Sequence, residues 1–301
     1  MSAQRELDDL KDAQITARTI KPGHAKANAL LELASQYIKK GDRSTALLLL
    51  QEGATAALST VAGWVRTDIL WRIAATMANA GDTTRALEIA KSIETDGHWR
   101  FAISDIVKAQ AEQGNIKDAF DTALLLKNVS KADIYGTDAY ANAISNILGR
   151  LAKSGRTKEA LESIPRFDDL KLRRQFLYGT IAAAQADSED IQGARATLSY
   201  DETEEQRIKR RKEMSHLVSI MNQGKDSQEL QQLRVLQRTE DETHAALEAI
   251  ALAYARQGSL AEASKVAADF DFHYREDLFK EIGKITAGVA RKLVRSRGYE
   301  H

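Results

Sequence analysis

The chain has 301 residues, of which 43 are Lys or Arg and 43 are Asp or Glu. Its formal net charge is therefore zero, without the basic excess that marks a general nucleic-acid binder. The absence of cysteine excludes disulfides, thiolate metal sites and thiol nucleophiles, and two prolines with 6% aromatic residues read as a nearly all-helical chain.

The first nine residues, Met1 to Asp9, carry no apolar core of the kind a secretory leader needs. No window approaches the roughly 20 apolar residues that span a bilayer. The reading is a cytoplasmic protein without a membrane partner, or an exported one if a leader once preceded Met1. Residues 1–25, with Leu7 to Ile20 as a helical stretch, form an N-terminal cap. From there a helix–turn–helix pattern recurs. Its turns stand at Gly41, Gly81, Gly114, Gly155, Glu189, Gly224 and Gly258, at intervals of 40, 33, 41, 34, 35 and 34 residues. Self-similarity at such a period marks a repeat architecture, and one continuous array over residues 26–270 replaces the two domains that length alone predicts.

Each turn is preceded by an apolar pair, such as Leu33-Ala34, Ile73-Ala74 and Ile106-Val107 in the first three units. Five positions after the turn stand Ala46, Ala86, Ala119, Ala160, Ala194 and Ala263, and four further on comes another apolar residue, Leu50 in the first unit. Spacing i, i+4 puts both on one helix face, where Ala admits a close neighbour. Gly suits the turn because a helix often ends on a left-handed residue; Asp42, Asp82, Asn115 and Ser259 are the expected caps of the following helices. The sixth unit, around Gly224, is degenerate, with His216 and Glu229 in the apolar places and a face of its own from Met214, Leu217, Val218 and Met221. Two joints are long. Gly53 to Thr67 is helix-compatible and is expected to lengthen the second helix of the first unit; Lys127 to Thr137 reads as a loop. Residues 271–301 place Leu278, Phe279, Ile282, Ile285, Val289 and Leu293 at helical spacing, as a C-terminal capping helix and tail.

With its 34-residue unit, Gly-Asp turn, Ala five later and Tyr37 and Tyr254 near the ends of first helices, the chain resembles a tandem tetratricopeptide repeat (TPR) protein or a bacterial TPR-like relative. The early Trp and closing Pro of that family's unit are missing. The resemblance implies an all-α fold, a right-handed α-α superhelical solenoid of about seven helix-turn-helix repeats with terminal capping helices. It also implies that first helices line a concave face, through positions thirteen, ten, six and two before each turn. The expected peptide-binding residues there are Asn28, Asp68, Trp71, Asn79, Phe101, Lys108, Glu112, Asn142, Ser145 and Phe176, with Trp71 as the best anchor. Amides can bond a peptide backbone while aromatics anchor its side chains. Leu31 and Ser35 stand where the family's carboxylate clamp needs Lys and Asn, so a cochaperone role is not expected.

No catalytic, metal or cofactor site is expected. His24, His98, His216, His244, His273 and His301 are scattered, with no i, i+4 pair to hold zinc, and His24 and His98 are read as preceding helices. Asp168-Asp169 and Glu240-Asp241-Glu242 read as solvated turns. The function that follows is a noncatalytic scaffold or adaptor that binds a protein or peptide segment, with homo-oligomerisation through the end helices open. The alternative is an RNA-binding helical repeat that uses the basic runs 171–174 and 207–212; Glu202, Glu204 and Glu205 balance the second run.

Overall fold

A computed structural model of the chain describes residues 2–129, 134–167, 174–200, 209, 212, 243–268 and 272–297. Among these the regular structure is helical: α1 (Ser2–Thr19), α2 (His24–Lys39), α3 (Arg43–Leu58), α4 (Trp64–Asn79), α5 (Thr83–Lys91), α6 (Asp96–Glu112), α7 (Ile116–Val129), α8 (Ile134–Lys153), α9 (Thr157–Ser163), α10 (Arg174–Asp187), α11 (Ile191–Leu198), α12 (243–256), α13 (Leu260–Ala267) and α14 (Phe272–Arg297). The chain divides into two compact units, Met1–Ile147 and Leu148–His301, and the division falls within α8. The sixth repeat, with Met214, Leu217, Val218, Met221 and Gly224, lies outside the described residues.

The repeated turn has one hydrogen-bonding pattern. At the end of α2, Gly41 N–H donates to Ile38 O at 3.0 Å and Asp42 N–H to Tyr37 O at 2.9 Å. This crossed pair satisfies two of the carbonyls a helix end leaves open, and it requires a left-handed residue at its corner. The same pair of bonds closes α4, α6, α8, α10 and α12, with Gly41, Gly81, Gly114, Gly155 and Gly258 at positive φ. At the end of α10 the corner is Glu189, at φ 66° and the single described non-Gly residue at positive φ. A side chain in this region costs about 1–2 kcal/mol. Replacement of Glu189 by Gly is expected to raise stability by about 1 kcal/mol, read as a higher urea midpoint at unchanged slope by circular dichroism. An unchanged midpoint would mean that the turn supports its side chain.

After the turn, Asp42, Asp82 and Asp190 cap α3, α5 and α11 through the backbone N–H groups of Thr45, Arg85 and Gly193. Ser259 precedes α13 without a side-chain cap bond. The bonds from the backbone and hydroxyl of Thr45, with that from Ser44, hold the Asp42 carboxyl below its usual range. A depressed carboxyl contributes stability above its unfolded-state value and loses it as pH falls through the folded one, so this cap stays intact through mildly acid conditions.

The apolar stripe is fully covered. Ala46, Ala86, Ala119, Ala160, Ala194 and Ala263 have no exposed surface, and neither do Ala34, Ala74, Val107, Leu148, Ala182 and Ala251 on the preceding helices. Burying one large aliphatic side chain stabilises by roughly 1.5–3 kcal/mol, and the alanines set how closely those side chains meet. In the N-terminal unit α1 packs on α2, and α2 through α6 each pack on the next helix. The first helices also meet side by side, α2 on α4 and α4 on α6. Arg18 of α1 binds Glu52 of α3 through two bonds, at 3.0 and 2.5 Å. In the C-terminal unit, α10 packs on α9 and α11, and one apolar cluster joins residues of α10, α11, α12, α13 and α14, from Ala182 to Ile282.

The first long joint lengthens its helix as expected but stops short of Thr67, and the second differs from expectation. Helix α3 is lengthened to Leu58, but Ser59 and Thr60 then turn their hydroxyls onto Ala56 O and Ala57 O, and α4 opens at Trp64, so 59–63 is a break. In the second joint, 127–129 and 134–137 are helical rather than loop, and 130–133 lie outside the described residues. The buried stripe of α8, Tyr140, Ile144, Ile147 and Leu151, extends the helix backwards and overrides the weak local propensity of Gly136 and Thr137.

Candidate functional site

Three neighbouring first helices, α2, α4 and α6, present the face on which most of the expected residues fall. Trp71 sits at its centre, half-buried on α4. Its indole Nε1 donates to Asp105 Oδ2 of α6 at 2.8 Å, and its ring lies 5.2 Å from Phe101 and 5.8 Å from His98, centroid to centroid. Both neighbouring rings are tilted, by 39° and 42°, a geometry that aromatic pairs favour over a flat sandwich. Trp71 is thus held from three directions, while Phe101 keeps 55% of its surface exposed. Beside the indole lies a groove of about 200 Å³ lined by Leu31, Glu32 and Ser35 of α2, Trp71, Arg72, Ala75 and Thr76 of α4, and Asp105 of α6.

Polar groups run along this face. Arg72 stands 4.0 Å from Asp68 and donates to Asn28 Oδ1 at 3.4 Å, which links α4 to α2. His98 Nε2 is 4.0 Å from Asp68 Oδ1, and its Nδ1 is 3.2 Å from the Thr67 hydroxyl and 3.0 Å from that of Thr95. Glu32 accepts from Gln36 at 3.2 Å. His98 therefore does not precede a helix but lies in the first turn of α6, where it links that helix to α4; His24 is likewise the first residue of α2.

The structure brings Asn28, Asp68, Trp71 and Phe101 onto this one face. Asn79 ends α4, and Lys108 and Glu112 follow on α6, all three exposed. Asn142 is partly buried on α8; Ser145, 7% exposed, and Phe176, 3% exposed on α10 of the other unit, offer almost no surface for a ligand. In the C-terminal unit Lys153 pairs with Asp187 at 3.3 Å, two positions before successive turns. Of the basic runs, Arg174, Lys209 and Lys212 fall among the described residues; the rest, with both acidic clusters, lie outside them.

Sequence reading alone missed Glu32, Arg72, His98 and Asp105. The signal was the period itself. Trp71 and Asp105 are 34 residues apart, and so are Lys153 and Asp187. A hydrogen-bonding pair one unit apart is what two first helices packed side by side produce.

Among the described residues no three His, Asp or Glu side chains gather as a metal-ion site, and no helix is long and apolar enough to cross a membrane. Comparison with family models, curated proteins and solved structures finds no significant match.

Proposed function

We propose that the chain is a noncatalytic adaptor that binds an extended peptide or protein segment along the α2–α4–α6 face. The observation that carries this reading is Trp71: a large aromatic side chain fixed by a hydrogen bond and two ring contacts, yet still open to an adjacent groove. A rigid aromatic anchor of this kind binds with little loss of side-chain freedom. The groove's volume is below the roughly 300–1,000 Å³ that encloses a small-molecule ligand. It suits one protruding side chain of a longer partner.

The TPR-like reading of the fold belongs to the same proposal. Its support is the crossed turn after each first helix, the fully buried Ala five residues later, and the lateral packing of α2, α4 and α6. Stacked hairpins of this type offer their first helices as a continuous recognition surface.

The test is affinity capture followed by mass spectrometry, with the wild type against a Trp71→Ala, Lys108→Glu double variant whose fold is checked by circular dichroism. A protein retained by the wild type and lost by the folded variant is the expected result. Equal recovery from both would remove this face from consideration.

A further inference from the structure

We infer that the groove beside Trp71 receives a basic side chain, arginine before lysine, from the bound segment. This rests on the proposed peptide-binding role of the face and names the chemistry of its occupant. The groove's own cation, Arg72, is already engaged by Asp68 and Asn28. Its carboxylates, Asp105 and Glu32, have, among the described residues, only the neutral partners Trp71 and Gln36. The groove's lining therefore carries two carboxylates against one guanidinium that has partners of its own, a net negative charge beside an indole and the exposed ring of Phe101.

That combination selects charge by sign. A cation over an indole face is attracted by the ring's negative potential, and the carboxylate accepting from the indole N–H strengthens that potential. A guanidinium stacks its plane on the aromatic ring while its edge donates to a carboxylate, which an ammonium cannot do in the same way. An acidic side chain or a chain-terminal carboxylate would meet two like charges and would have to compete with Asp68 and Asn28 for the single guanidinium of Arg72. The zero net charge of the chain makes this selectivity local to the groove.

The experiment is selection from a random displayed-peptide library on the full chain, with the selected peptides then measured by fluorescence anisotropy. The variants are Trp71→Ala and the shape-preserving pair Glu32→Gln, Asp105→Asn, in which the amide can still accept from Trp71. The expected result is a set of peptides with Arg or Lys at a shared position, weakened about tenfold by the amide pair and more strongly by loss of the indole. Raised salt should weaken them as well. Peptides lost with Trp71→Ala but lacking a basic residue, or indifferent to the amide pair, would overturn the basic-side-chain inference and leave the groove reading standing. Peptides indifferent to Trp71→Ala, or no binder at all, would overturn both.

Discussion

Ile73→Ala is expected to destabilise the N-terminal unit by about 3 kcal/mol, within the 2–5 kcal/mol typical of such truncations. Ile73 has no exposed surface and lies on α4, which packs against α2, α3, α5 and α6. Its Cδ1 is 3.4 Å from where a Cβ on Gly53 of α3 would stand, an ordinary contact distance, so the isoleucine packs directly onto α3. With neighbours on so many sides the cavity cannot collapse cheaply, and the cavity cost adds to the lost transfer energy. Against a whole-domain stability of roughly 5–15 kcal/mol this is a large fraction. The measurement is urea unfolding followed by tryptophan fluorescence. All three tryptophans, Trp64, Trp71 and Trp99, lie in the N-terminal unit, so the signal reports that unit alone. A shift worth less than about 1 kcal/mol would mean that the helices around α4 relax into the gap.

Gly193→Ala is expected to cost the C-terminal unit about 1–3 kcal/mol, although Ala favours a helix more than Gly does. Gly193 lies in the first turn of α11, and its N–H donates to the capping carboxylate of Asp190 at 2.9 Å. The other carboxylate oxygen accepts from Gln185 Nε2 at 2.9 Å, and Gln185 Oε1 accepts from the Thr197 hydroxyl at 2.7 Å. A Cβ on Gly193 would collide with both Asp190 Oδ2 and Gln185 Nε2. Relief means moving the cap, worth about 1 kcal/mol, and leaving the amide of Gln185, itself 5% exposed, without its partners. Thermal melting by circular dichroism should show the loss, and the tryptophan-detected transition should stay in place. Gly53→Ala is the control: a helical glycine whose added Cβ meets only ordinary contacts, so it is expected to be neutral or stabilising. Equal behaviour of the two variants would show that the Asp190–Gln185–Thr197 network contributes nothing.

That network also shows where sequence reading stops. Gln185 stands four residues before its turn and Thr197 eight after. Gln110 and Thr122 hold the same places around Gly114 and are also buried. In the first unit these positions are Tyr37 and Leu49, in the second Met77 and Ile89. A polar pair in an apolar register was visible in the alignment of units, but its meaning depended on a hydrogen bond between the helices that flank the turn. The fate of the two joints was hidden for a related reason. Whether residues 53–67 and 127–137 continue a helix depends on what their apolar stripes meet across the fold, and local propensity is too weak to decide it.

The sequence by itself determined the units of this protein: helices from an apolar stripe at helical spacing, left-handed turns from Gly, caps from Asp42 and Asp82, and close approach from one Ala in six of the seven units. These are local requirements, set by backbone sterics and by spacing, and each appears at a fixed offset in the chain. Only the tertiary structure decided which exposed residues stand together. It placed His98 and Asp105 against Trp71, spent the charge of Arg72 on Asp68 and left Asp105 and Glu32 facing a groove. The physical reason is that charge pairing and ring stacking act through space between helices a full period apart, where side-chain reach and packing, rather than order along the chain, choose the partner.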